Sequence, residues 1–375
     1  MSNIKEFKIT PPFEKRNKDM YTLTTDDFYN HILPKLREYI TKKPREKLIF
    51  DFSKIKKINP LVIPNLLCVG VLVNNQVGIR PKIDIPPSYD GSKIMGFLHS
   101  MDFYVLADEI FEKVDQGKLG SGSTPPPEVH KVLRFRIGTE NDTHTAIKNL
   151  VNETLNSVRA PEDTPMLPLR RQLRDILQEL VENSWHKGKS DCFVSFQVIS
   201  SDQKAYIAAA DSGMGIFSSL EKKVIEDKLD GENQECIKTL IRKGRKKGEK
   251  TSHADLYAII AAILYRRKPT SPHKEVYGIS HVLNSCKRLG TQKDKYGIEF
   301  GTKICIHSES VRLVIDHDLN KLLPEILPEG NAQDIAEQYL DIILKSKDSF
   351  TTEQRFRGVH FEMEIPLPLR RYKNR

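Results

Sequence analysis

The feature that most limits what this chain can fold into is a break. From Gly117 to Glu128 it reads GKLGSGSTPPPE, glycine and serine followed by three consecutive prolines. That composition has no apolar period, and each proline withholds a backbone donor, so neither a helix nor a central strand runs through it. The break separates residues 1–116 from residues 129–375, and each stretch is long enough for a core of its own.

In the first stretch, Phe28, Ile32, Leu36 and Ile40 fall on one face of a helix predicted over Asp26–Ile40. Lys47–Phe52 is a short apolar strand, Leu61–Val73 a core helix or strand, Lys82–Ile85 a strand and Ser92–Ser100 a short helix. Alternation of this kind implies a small α/β domain. In the second stretch, Val132–Ile137 reads as a strand, and Asp142–Val158 and Leu169–Lys187 as helices. Phe193–Ile199 and Lys204–Ala210 form a hairpin across SSDQ. Ser252–Arg266 and Ile279–Arg288 follow as helices, then strands Lys303–Ile306 and Val311–Ile315 joined by SES. Finally, Phe361, Met363 and Ile365 alternate with His360, Glu362 and Glu364, as in a half-buried strand. This order implies an α+β sandwich: a mixed sheet with helices on one face.

Two local patterns carry chemistry. In ELVENSWHK, Glu179 and Asn183 stand four residues apart in a stretch free of glycine and proline, so both project from one helix face. An amide oxygen is a neutral hard ligand suited to Mg²⁺ on a phosphate, and a carboxylate one turn away can activate a water. Glu182 points about 100° round the helix from Asn183. In DSGMGI, Asp211 ends an apolar strand, where it can accept from an exocyclic amine. Gly213 and Gly215 let the backbone pass close to a planar base.

Together, E-x-x-x-N on a helix, a hairpin, then D-x-G-x-G resembles the Bergerat-fold (GHKL, histidine-kinase-like) ATPases, the superfamily of DNA gyrase, histidine kinases, the mismatch-repair clamp and anti-sigma-factor serine kinases. The resemblance covers about Val129 to Leu369. It implies ATP and Mg²⁺ as cofactors. By it, Asn183 holds Mg²⁺, Glu179 is the catalytic base, Asp211 binds adenine N6, and Gly213, Gly215 and Ile216 line the pocket. VYGIS aligns with the second glycine box, with Gly278 near the phosphates and Val276 where a glycine belongs. For the last box, GTK at Gly301–Lys303 competes with RGVHFEMEIP at Arg357–Pro366. The second is preferred, although it puts Val359 where a threonine is usual. His186 or Lys187 stands where the family often has a basic phosphate contact, and Trp185 is expected to pack against the sheet. The basic run Ile241–Lys250 falls in the ATP lid, where it either reaches an anion or is solvated.

The first stretch resembles a STAS domain: LIFDFSKIKKINPLVIPNLL matches its central strand, loop and helix, and SKIMGFLHSMDFYVLAD its late helix and closing strand. No hydroxyl stands at the junction Ile58–Leu61, which implies docking or sensing rather than a phosphoswitch. The resulting expectation is a regulatory Mg-ATP-binding protein, an ATPase or a serine-kinase-like enzyme, with a protein partner at the N-terminal domain or a homodimer. The alternative is a non-catalytic ATP-liganded scaffold or a dimerising clamp. The net charge of +9 suits an anionic partner, but the basic residues are scattered, which disfavours nucleic acid. Five dispersed cysteines read as free thiols, the N-terminus has no apolar signal, and no apolar run is long enough for a bilayer, so a cytoplasmic location is expected.

Overall fold

In a computed structural model of the chain, the structure describes residues 5–11, 22–42, 45–85, 93–112, 131–157, 166–199, 203–229, 233–246, 249–251, 253–265, 279, 282–284, 292–293, 299–324, 331–346 and 349–367. The proline-rich break lies outside them.

The N-terminal region opens with β1 (Glu6–Ile9) and α1, residues 25–42, which contains one π-helical turn, Phe28–Ile32. A capping box starts α1: the Thr24 hydroxyl accepts from Asp27 N–H, and Asp27 accepts from Thr24 N–H at 2.9 Å. Then come β2 (Lys47–Asp51), α2 (Val62–Val77), β3 (Lys82–Asp84), α3 (Lys93–Ser100) and α4 (Phe103–Ile110). Strands β1, β2 and β3 pair in parallel, in that order. The expected closing strand over FYVLAD is helix α4 instead. Phe103, Ala107 and Ile110 are buried at spacings of four and three, a helical stripe that outweighs the β-prone composition.

The second region comprises β4 (Lys131–Phe135), α5 (Glu140–Asn156), α6 (Met166–Asn183), β5 (Cys192–Ile199), β6 (Lys204–Asp211), α7 (Ile216–Ile225), α8 (Gln234–Lys243), α9 (Ala254–Leu264), β7 (Lys303–Ile315), α10 (Ala332–Lys345) and β8 (Phe350–Pro366). Its sheet runs β7–β8–β6–β5–β4 and is antiparallel at every described pairing, not mixed. The molecule as a whole thus combines parallel and antiparallel sheets with helices. SES is not a turn between two strands. Glu309, at φ 53°, is the bulge of one continuous strand whose two halves both pair with β8.

Helices α5, α6, α7 and α9 pack on one face of this sheet against Val194, Phe196, Ile207, Ala209, Phe361 and Met363. Helices were expected on one face only, but the opposite face is buried as well. Helix α2 is apolar on nearly every side, and it lies over β5 and β6. One core joins Leu48 and Phe50 of the parallel sheet to Phe193 and Ala210 of the antiparallel one. A single apolar cluster thus spans both regions.

Because that second face carries the polar residues of the alternating strands, its burial creates a polar seam. Glu362, 3% exposed, accepts from Tyr29 Oη at 2.9 Å and from Asn65 Nδ2 at 2.7 Å. The Arg312 guanidinium lies 4.5 Å over the Tyr29 ring and donates to Asp26 at 2.7 Å. His307 and His360 are wholly buried beside them, their ring centres 5.4 Å apart. Burial pushes the Glu362 carboxyl up to about 7, against the pull of Arg312, and it pushes His360 down to about 3.

Candidate functional site

The site forms where three elements meet. Helix α6 ends at Asn183 and continues into a π-helical turn, Ser184–Gly188; β6 ends at Asp211; and β8 passes alongside at Gly358. On α6, the one-turn spacing brings Glu179 and Asn183 together, and Asn183 Nδ2 donates to Glu179 Oε1 at 2.8 Å. That bond commits the amide nitrogen and leaves Oδ1 as the acceptor end, the atom a hard cation takes. Glu179 is buried, whereas Glu182 is half-buried and accepts from Gln178 at 2.8 Å.

The Asp211 carboxylate accepts from Gly213 N–H at 2.9 Å, the Ser184 hydroxyl at 3.1 Å, the Ser190 hydroxyl at 3.4 Å and Val359 N–H. Burial nevertheless outweighs these bonds and pushes its carboxyl up to about 6. Ser184 has one proton and a second acceptor, the Leu180 carbonyl, also at 3.1 Å, and the Ser190 contact is long. The carboxylate therefore retains capacity for an outside donor. It lines a pocket walled by Leu180, Ala209, Ile216, Ala262 and Phe361, with Asn183 at one side. An apolar pocket with a buried carboxylate acceptor suits a ring that carries an N–H donor.

The glycines explain how close the walls come. A Cβ on Gly213 would collide with the Gly188 carbonyl, which accepts from Met214 N–H at 2.9 Å. Gly358 has φ 98°, and a Cβ there would overlap the Asp211 carbonyl. Of the two candidates for the last glycine box, Gly358 therefore lies against Asp211, while Gly301 packs on His317. Gly215 caps α7 next to Glu309, and Ile216 N–H donates to Ser308 Oγ at 2.9 Å. Gly278, Val276 and the Lys187 side chain lie outside the described residues; Ile279 lines the pocket. His186 is exposed. Trp185 is buried, stacks edge-on with Phe135 and donates to its carbonyl at 3.2 Å.

In Ile241–Lys250 one basic residue is held by buried carboxylates and another is exposed and paired at the surface. Lys250 pairs with Asp255 at 2.6 Å and with Glu309, and Arg245 pairs with Glu221. Among the described residues no group of three His, Cys, Asp or Glu could hold a metal by itself. A magnesium ion here would draw on one amide oxygen, phosphate oxygens and water, which is how that ion is usually held.

The sequence reading missed Ser184, Gly188 and Ser190. Their roles come from contact with Asp211 and Met214 across the fold, and no local period marks them. Comparison with protein-family models, with curated proteins and with solved structures finds no match to this chain. Among the described residues no helix is long and apolar enough to cross a membrane.

Proposed function

We propose that the second region binds Mg-ATP as a Bergerat-type nucleotide site and that the chain is a regulatory ATPase or serine-kinase-like enzyme, with the STAS-like N-terminal region receiving a protein partner. One observation carries the reading: a buried carboxylate, Asp211, with spare acceptor capacity stands at the end of an apolar slot, beside a glycine loop and within one pocket of Asn183. Adenine would lie in the slot with N6 donating to Asp211. Asn183 Oδ1 would face the metal, fixed by the bond its nitrogen makes to Glu179. Bound Mg-ATP supplies a γ-phosphate whose charge the metal neutralises. Glu179 would take the proton from a water or partner hydroxyl directed at the γ-phosphate, with ADP as the leaving group, a contribution of ~10²–10⁴-fold in rate.

A second reading, ATP as a structural ligand without turnover, is favoured by Lys250. Two carboxylates hold it, which keeps it from the phosphates. Calorimetric titration of ATP, with and without Mg²⁺, tests binding. Asp211→Asn should weaken ATP by about 1–3 kcal/mol, since a buried amine loses its acceptor. Asn183→Ala should remove the Mg²⁺-dependent gain alone. Equal affinities for wild type and Asp211→Asn would sink the base contact. Turnover lost in Glu179→Ala but kept in Glu182→Ala, with ATP still bound, separates enzyme from scaffold. No turnover in wild type, even with its partner, leaves the scaffold.

A further inference from the structure

A second cavity lies apart from the slot beside Asp211. A cleft of about 710 Å³ lies between α1 and α2 of the N-terminal region and the outer side of the glycine loop. It is within the size range of small-molecule sites, and the boundary between two packed regions is a common place for one. Its apolar surface comes from Ile40, Leu72 and Met214; Gln76 and Ser212 add hydrogen-bonding groups.

Charge selects the ligand. Arg37 and Arg357 both line the cleft, one from each region, and both are exposed. Neither guanidinium has a carboxylate partner among the described residues. The only carboxylate among the described lining residues, Glu309, is already matched by Lys250 and by the Ser218 hydroxyl at 2.6 Å. Among the described residues the cleft thus offers two cations without a carboxylate partner over an apolar floor. Guanidinium forks bind carboxylate, sulfonate and phosphate groups well, and they add orientation as well as attraction.

We propose that this cleft is a second ligand site, specific for a small organic anion with one acidic group on an apolar body, gripped by Arg37 and Arg357. Neither arginine lines the Asp211 pocket, so the proposal stands whether or not that pocket takes ATP.

Paired dyes provide the test on the full chain. 8-Anilinonaphthalene-1-sulfonate has the acidic group, and N-phenyl-1-naphthylamine has the same rings without it. The sulfonate should bind wild type saturably at one site, followed by fluorescence. Arg37→Ala/Arg357→Ala should weaken it about tenfold or more, the loss of a charge-assisted contact, and move the neutral dye by less than about twofold. Gln76→Trp, at an exposed position that tolerates bulk, should obstruct both dyes. Circular dichroism confirms that each variant is folded. Unchanged sulfonate affinity in the double arginine variant, equal losses for the two dyes in that variant, or titrations unaffected by Gln76→Trp would each overturn the proposal.

Discussion

Asp211 and Glu362 are buried carboxylates on adjacent strands of one sheet, yet they face opposite layers. Glu362 is sealed in the seam, where Tyr29 and Asn65 from the N-terminal region supply its donors. Asp211 opens on a pocket, and the donors it has come mostly from its own loop and the π-turn. Both carboxyls are pushed up by burial, to about 7 and about 6. A raised carboxyl alone therefore does not mark a binding site. What distinguishes Asp211 is acceptor capacity directed at open space, whereas Glu362 joins two layers.

If that contrast is right, removing the seam carboxylate should have the largest effect. Glu362→Ala strips the acceptor from two buried donors and should cost about 4 kcal/mol in urea unfolding. ATP titration of the folded fraction should change little. A loss below about 1 kcal/mol would mean that the layers are held by apolar packing alone.

Glu362→Gln keeps an acceptor but cannot ionise. In wild type the folded state retains this proton from about pH 4.5 to about 7, where the unfolded chain has lost it. The contribution is therefore full at low pH and is lost as pH rises through about 7. Between pH 5 and pH 8 the unfolding free energy of wild type should fall by about 3 kcal/mol more than that of the variant. His307 and His360, held neutral by burial, push the other way below their ordinary range, but they are common to both proteins and cancel. Parallel pH curves for the two would show that Glu362 is not the titrating group.

Under the proposed base contact, the Asp211 proton acts on ligand affinity. An N6 donor needs the ionised form, so ATP affinity should hold above about pH 6 and fall by up to about tenfold per unit below it. Asp211→Asn should be flat over the same range. A wild-type profile equally flat would separate Asp211 from the base.

The local patterns were the legible ones. Glu179 and Asn183 are one turn apart, so their contact follows from helix geometry alone. The alternation from His360 to Ile365 named the inward residues of β8 correctly. It misplaced the others, because alternation separates two faces without saying whether water or α2 covers the second. SES looked like a turn because three polar residues usually are one, whereas the bulge at Glu309 depends on pairing with a strand some fifty residues later. Ser184, Gly188 and Gly358 acquire meaning only from what folds against them.

The position of β8 in the sheet has a consequence for the order of synthesis. Residues 350–366 are made after every other strand of the sheet, yet they lie between β7 and β6. A ribosome that has produced the chain through α10 has therefore made β4, β5 and β6 with the β6 edge still unpaired, and β7 with no neighbour in the sheet. At that stage Asp211 lacks Val359 N–H, and the seam lacks Glu362. The pocket beside Asp211 and the bond between the layers are completed by the same late insertion, so a nascent chain cannot acquire one without the other.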